Sequence, residues 1–164
     1  MNTAYLGIGS NMGERRATLR QARHQLASTP GISHLDVSSL YETEPVGGPA
    51  GQGDFLNAVI RLETSLEPLD LWQRCLQIEQ AAGRTRTVKN GPRSLDLDIL
   101  LYGDRCLDTG SLTIPHPRLH ERRFVLVPLC DLEPQLRHPH SGKTMHELLQ
   151  LLEDNGVKLI SREW

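Results

Sequence analysis

The sequence predicts an α+β domain built on an antiparallel sheet, and three observations carry that expectation. Residues 54–63 alternate apolar and polar side chains, as a half-buried strand does. Residues 15–28 and 68–83 repeat apolar side chains at helical spacing. Shorter runs of strand character flank these, so the first 102 residues read strand, helix, strand, strand, helix, strand.

Each element has a local reason. Residues 3–9 form a short strand ending in glycines, and Leu19, Ala22 and Leu26 then mark one face of a helix. Residues 35–41 are a second strand, followed by a Gly/Pro-rich loop over 44–53 that is long enough to move. In 54–63, Leu56, Ala58, Ile60 and Leu62 take one face, while Phe55, Asn57, Val59, Arg61 and Glu63 take the other. Pro68 suits a first helical turn and Gly83 a helix end; Leu69, Trp72 and Leu76 make the apolar stripe between them, which Glu79 extends by one step. A polar loop over 84–93 precedes a strand over 95–102. A hairpin over 105–114, a stretch over 118–129 and a final helix near 144–152 follow. The β-α-β-β-α-β order is the ferredoxin-like pattern, with helices on one face of the sheet, here extended by a C-terminal hairpin and helices. No repeat or linker divides the chain, so residues 1–164 read as one domain.

Composition narrows the function. With 38% hydrophobic residues, 23% charged residues and a net charge of −2, the chain reads as an ordinary soluble globular protein rather than a general nucleic-acid or membrane binder, and a monomer is the expected state. The basic residues are 15 Arg and 3 Lys, and Arg offers a planar fork suited to phosphate and carboxylate. Cys75, Cys106 and Cys130 lie far apart and predict neither a disulfide framework nor a zinc site. No signal peptide and no membrane-length apolar run is visible, and the expected compartment is the reducing cytoplasm.

The strongest chemical signal is Leu95-Asp96-Leu97-Asp98-Ile99-Leu100-Leu101-Tyr102. On a strand, Asp96 and Asp98 share a face about 6.7 Å apart at the backbone, and Leu95, Leu97, Ile99 and Leu101 face the core. A bare D-x-D fits a solvated strand face as readily as a metal site. Here Gly91-Pro92-Arg93 and seven arginines between Arg84 and Arg123 flank it, which turns the reading toward Mg²⁺ with phosphate. Arg84, Arg86 and Arg93 are the nearest of these; His116 sits stiffly between Pro115 and Pro117, six residues before Arg122. Phe55 and Asn57 share a strand face, as a flat heteroaromatic ligand would require, though a half-buried Phe fits as well. His138-Pro139-His140 with His146 hints at metal but has no acidic or Cys partner at a recognisable spacing, so it reads as a loop. Gly7-Ile8-Gly9-Ser10-Asn11-Met12-Gly13 misses the dinucleotide fingerprint by one residue, and no P-loop motif occurs.

Together these segments resemble one family, the 6-hydroxymethyl-7,8-dihydropterin pyrophosphokinases of folate biosynthesis. The resemblance rests on Tyr5-Leu6-Gly7-Ile8-Gly9-Ser10-Asn11, Tyr41-Glu42-Thr43-Glu44-Pro45, Phe55-Leu56-Asn57-Ala58, and Glu79 followed by Gly83-Arg84-Thr85-Arg86. It continues through Gly91-Pro92-Arg93-Ser94-Leu95-Asp96-Leu97-Asp98-Ile99 and Leu112-Thr113-Ile114-Pro115-His116-Pro117-Arg118 to Arg122-Arg123-Phe124-Val125-Leu126. It implies transfer of the β,γ-pyrophosphoryl group of ATP to the hydroxymethyl oxygen of a reduced pterin, with AMP released. By matching position, Asp96 and Asp98 would bind two Mg²⁺ ions, and Arg84 and Arg93 would stabilise the transferring group, with Arg86 supporting the closed loop. His116 and Arg122 would hold the triphosphate, Glu79 would lie near the nucleotide, and Ile99, Leu112 and Thr113 would line the adenine pocket, partly through backbone groups. Thr43, Val46 and Asn57 would hydrogen-bond the pterin, with Phe55 and Phe124 on either side of its ring. The chain departs from well-known members in carrying Asn90 where they have Trp, in an arginine loop about one residue shorter, and in Leu76 where some have Gln. Two rivals from other classes share the topology: an RNA-binding module, and a small-molecule regulatory domain without turnover.

Overall fold

In the computed structural model, which describes residues 1–45, 48–83, 94–154 and 156–164, alternation and helical spacing become an antiparallel sheet with helices on both faces. The elements in order are β1 (Asn2–Ser10), α1 (Arg15–Ala27), β2 (Ile32–Val37), β3 (Leu40–Thr43), β4 (Phe55–Thr64), α2 (Pro68–Ala81) and β5 (Asp96–Tyr102). Then come β6 (Leu107–Asp108), β7 (Thr113–Ile114), a 3₁₀ turn (Leu119–Glu121), α3 (Arg123–Leu132), α4 (Met145–Gln150) and β8 (Val157–Ser161). The main sheet runs β5-β1-β4-β3-β8, and β2 pairs with β4 beside β3; β6 and β7 form a separate two-residue ladder.

Alternation on β1 and β4 decides the layers. Leu6 and Ile8 of β1 with Leu56, Ala58, Ile60 and Leu62 of β4 pack against α1 (Leu19, Ala22, Leu26) and α2 (Leu71, Cys75, Ile78). The opposite face sends Tyr5 and Val59 into a second core with Val125, Leu126 and Leu129 of α3 and Met145 and Leu148 of α4. Thr144 starts α4 with a reciprocal capping box to Glu147. Helices therefore cover both faces, not one. The second core covers only part of its face, leaving β1, β4 and β5 open near Gly9, Asn57 and Asp96.

Several expectations change. The expected strand over 35–41 is two strands meeting at Ser38, whose backbone and hydroxyl bond both the N–H and the C=O of Val59. The carbonyl of Ser38 also accepts the indole N–H of Trp164 at 2.8 Å, so the chain end packs into this break. On α2 the buried stripe is Leu71, Cys75, Ile78 and Glu79, whereas Leu69 is exposed and Trp72 and Leu76 are half-buried. The sequence offers apolar residues on two adjacent lines of this helix, and the sheet selects the line that includes Cys75. On β5 the pairing with β1 slips by one residue between Tyr5 and Leu6, so Leu100 and Leu101 both enter the second core, and Leu101 leaves the helix-side row assigned to it. The stretch over 118–129 becomes the 3₁₀ turn and α3, and β8 is a strand that the sequence does not predict. The arginine loop with Arg84, Arg86, Lys89, Asn90 and Arg93 lies outside the described residues, as do Val46 and Gly47.

Trp164 is 8% exposed, packs into the helix-side core and lies 5.4 Å from the Arg23 guanidinium. Trp164→Ala should lower unfolding free energy by about 3 kcal/mol, as for other buried aromatic deletions. Urea unfolding measures it, and a loss within error of zero would show that the chain end does not hold the break together.

Candidate active site

The open part of the sheet forms the floor of a cleft of about 420 Å³. The register sets its residues in rows: Asn57 pairs with Gly9 and Gly9 with Asp96, while Val59 pairs with Gly7 and Gly7 with Asp98. At one strand spacing per step, Asn57 and Asp96 stand about 10 Å apart with glycine between them. A methyl group on Gly9 would meet Asn57 Oδ1 at 2.8 Å, and one on Gly7 would touch Leu100 at 3.5 Å. The glycines thus leave a low floor between an amide and two carboxylates. In the sequence this pair only misses a dinucleotide fingerprint, and its signal is two alternate glycines on one strand face.

The amide side is rigid. Asn57 is 8% exposed and its Nδ2 donates to Thr43 Oγ1 at 2.7 Å, which fixes the amide's orientation and leaves Oδ1 toward Gly9. Phe55 and Phe124, the two phenylalanines of the chain, both line the cleft, and the Arg122 guanidinium lies 5.5 Å from the Phe124 ring. Two aromatic rings, an oriented amide and a hydroxyl form a surface for a flat ring with donors and acceptors on its edge.

The carboxylate side is braced from beneath. Asp96 and Asp98 are half-buried and line the cleft. Leu97 between them points into the helix-side core, and its N–H donates to Glu79 Oε2 at 2.8 Å. Glu79 is 2% exposed, so the structure places it behind the strand and not in the cleft wall. Its charge and that of Asp98 reach Cys75, whose thiol is pushed up to about 12, chiefly by burial. Among the described residues no three His, Cys, Asp or Glu side chains form a ready metal site. Two carboxylates open to a cleft suit an ion that takes its other ligands from water and a phosphate.

Cationic groups close the far side. Arg118, Arg122 and Arg123 line the cleft with Glu121. His116 lies next to this wall: its backbone N–H donates to the Leu100 carbonyl, and its Nδ1 accepts the Arg118 N–H at 3.1 Å. That bond leaves the neutral imidazole's proton on Nε2. Burial, then the Arg122 charge, holds His116 down at about 4, with Asp96 opposing. Ile99 and Leu112 are buried in the helix-side core, so only their backbones can meet a ligand, while Thr113 is half-buried on β7. The cleft also gathers Arg118 and Arg123 of the arginine set, and Gly7, Gly9, Glu121, Gly156 and Val157, for which the sequence predicts no role. Away from it, His138 Nδ1 accepts the His140 and Ser141 N–H groups, so that histidine staples its own loop.

Comparison with known proteins agrees. The family described as 7,8-dihydro-6-hydroxymethylpterin-pyrophosphokinase matches residues 5–134. The 2-amino-4-hydroxy-6-hydroxymethyldihydropteridine pyrophosphokinase of Bacillus subtilis is 46% identical over 82% of this chain and 80% of its own. The protein of the same name in Pseudomonas aeruginosa is 42% identical over 94% of each chain. Folic acid synthesis protein fol1 of Schizosaccharomyces pombe is 45% identical over 96% of this chain, which spans only 21% of fol1. A crystal structure of Plasmodium falciparum HPPK-DHPS with pteroate shares the fold, with a TM-score of 0.70 at 16% identity over 92% of this chain and 42% of that one.

His116 gives a pH test. Its ordinary value is 6.5 and its folded value about 4, so as pH falls the unfolded chain takes the proton first. The His116 contribution to stability should therefore rise with pH between about 4 and 6.5 and be constant above, and His116→Asn should shallow the slope in that window. Urea unfolding across the window measures it; a wild-type–variant difference independent of pH would sink the assignment.

Proposed function

The chain belongs to the 7,8-dihydro-6-hydroxymethylpterin-pyrophosphokinase family, and we infer that it transfers the β,γ-pyrophosphoryl group of ATP to 6-hydroxymethyl-7,8-dihydropterin in folate biosynthesis. The observation that carries this reading is the row Asn57–Gly9–Asp96, which sets a ring-binding amide and a carboxylate pair on one floor with room between them for the hydroxymethyl group.

Asn57 and Thr43 bond the pterin edge, and Phe55 and Phe124 enclose its ring; Val46, outside the described residues, is assigned by resemblance. The hydroxymethyl oxygen attacks the β-phosphorus, the bond from that phosphorus to the oxygen shared with the α-phosphate breaks, and AMP leaves with that oxygen. The hydroxyl proton passes to a solvent water in the same step. Asp96 and Asp98 would hold Mg²⁺, two ions by family resemblance, which would neutralise phosphate charge and lower the pKa of the attacking hydroxyl. Glu79 holds Leu97 so that both aspartates stay aimed at the cleft. His116 donates from Nε2 to the triphosphate, and Arg122 adds charge there. Arg84, Arg86 and Arg93, also outside the described residues, take the roles that the resemblance gives them: Arg84 and Arg93 stabilise the transferring group, and Arg86 supports the closed loop. The backbones of Ile99, Leu112 and Thr113 meet the adenine.

The first 102 residues read as a ferredoxin-like unit in which β2 and β3 share the place of one strand. The order β5-β1-β4, with both short strands against β4, supports this. The whole chain reads as one domain, a monomeric cytoplasmic enzyme. An RNA-binding sheet is disfavoured because Asp96, Asp98, Glu44 and Glu121 would all face the phosphate backbone.

Two experiments test the reading. With ATP, Mg²⁺ and the pterin, chromatography should show AMP, and Asp96→Asn or Asp98→Asn should slow its formation roughly 10²–10³-fold, given several kcal/mol of charge stabilisation. ADP as product would overturn pyrophosphoryl transfer. Gly9→Ala should raise KM for the pterin at least tenfold, about 1.4 kcal/mol, with KM for ATP held. Equal effects on both substrates would place the pterin elsewhere.

A further inference from the structure

Arg123 opens α3 beside Phe124, and its side chain lines the cleft. Its Nη2 donates to Asp154 Oδ1 at 2.8 Å, with the Arg side chain 21% exposed and the Asp 92% exposed. An ion pair with one partner so fully in water contributes little to stability, so fold maintenance does not account for it. Its placement suggests another effect. Asp154 lies just before Gly156 and Val157, which also line the cleft, and Val157 pairs with Thr43 across β8 and β3. The pair therefore ties the wall that carries Phe124 to the strand end beside Thr43. Arg123 also keeps its Nε buried without a hydrogen-bond partner, an uncommon arrangement for a guanidinium. That arrangement leaves the contact with Asp154 as the directional bond that orients the group.

We propose that the Arg123–Asp154 ion pair is a positioning device for the acceptor ring, a strap across the cleft's outer wall that sets the spacing between Phe124 and the Thr43–Val157 edge. Neither residue is assigned a contact with the reacting atoms. The proposal rests on reading the cleft as the pterin site, because only a ligand held between those walls would sense their spacing.

Steady-state kinetics on the full chain, with Tm, tests it. Arg123→Ala and Asp154→Asn should each raise KM for the pterin roughly two- to fivefold, as loss of an exposed pair allows, leaving KM for ATP and Tm unchanged. The swap of Arg123→Asp with Asp154→Arg should recover much of the loss, and about 1 M salt, which screens the exposed pair, should move wild type toward the single variants. Unchanged pterin KM in Asp154→Asn, or a joint fall of Tm and both affinities, overturns the proposal. Asn57→Ala runs alongside as a control on the cleft itself. If Asn57→Ala raises pterin KM and the strap variants do not, the strap alone is wrong. If Asn57→Ala has no effect, the cleft reading fails and the strap with it.

Discussion

The register of β1 between β4 and β5 is the constraint on which the rest depends. Nine consecutive pairs, from Asn2 with Thr64 to Ser10 with Leu56, fix β1 to β4, and β5 follows on the other side. A slip of one residue would turn Leu6, Ile8, Leu97 and Ile99 out of the helix-side core and bring Asp96 and Asp98 in. Burial of each such side chain is worth about 1.5–3 kcal/mol, so the slip is prohibitive. The polar cleft is thus held in place by apolar packing on the reverse of the same strands, and Glu79 adds a directional bond at the point between the two aspartates.

The irregularity at Leu100 and Leu101 lets one strand serve two surfaces. Before it, Asp96 and Asp98 face the open cleft; after it, both leucines enter the second core under α3 and α4. Without the slip, strict alternation would leave Leu101 on the helix side and remove one apolar contact from the core that backs Phe124. The bulge ends the cleft and begins the support for its wall within one residue.

Much of this was legible in the sequence for a physical reason: alternation and helical spacing are local. The faces of β4, the face shared by Asp96 and Asp98, the start of α2 at Pro68 and the capped final helix all follow from neighbours within a few residues. What failed needed information from distant chain. The break at Ser38 depends on Val59 and Trp164, the choice of stripe on α2 depends on how the sheet receives it, and the parity change in β5 depends on pairing with Tyr5 and Leu6. Of the residues singled out in the sequence, Thr43, Phe55, Asn57, Asp96, Asp98, Arg122 and Phe124 line the cleft, whereas no role was expected of the glycines. Gly7 and Gly9 act by what they lack, and only the neighbouring Asn57 and Leu100 reveal that. Arg123 and Asp154 lie 31 residues apart with no motif to join them.

The placement of the chain's two tryptophans has an optical consequence. Trp164 is sealed at the break between β2 and β3, Trp72 is half-buried against the helix-side core, and neither lines the cleft. Their emission reports the packing around the helix-side layer, on the reverse of the surface that receives ligand. Quenching by a bound chromophore would then act through space on fluorophores that ligand does not touch. Folding and occupancy are accordingly separate spectroscopic channels in this molecule, the first read from emission maximum and the second from energy transfer.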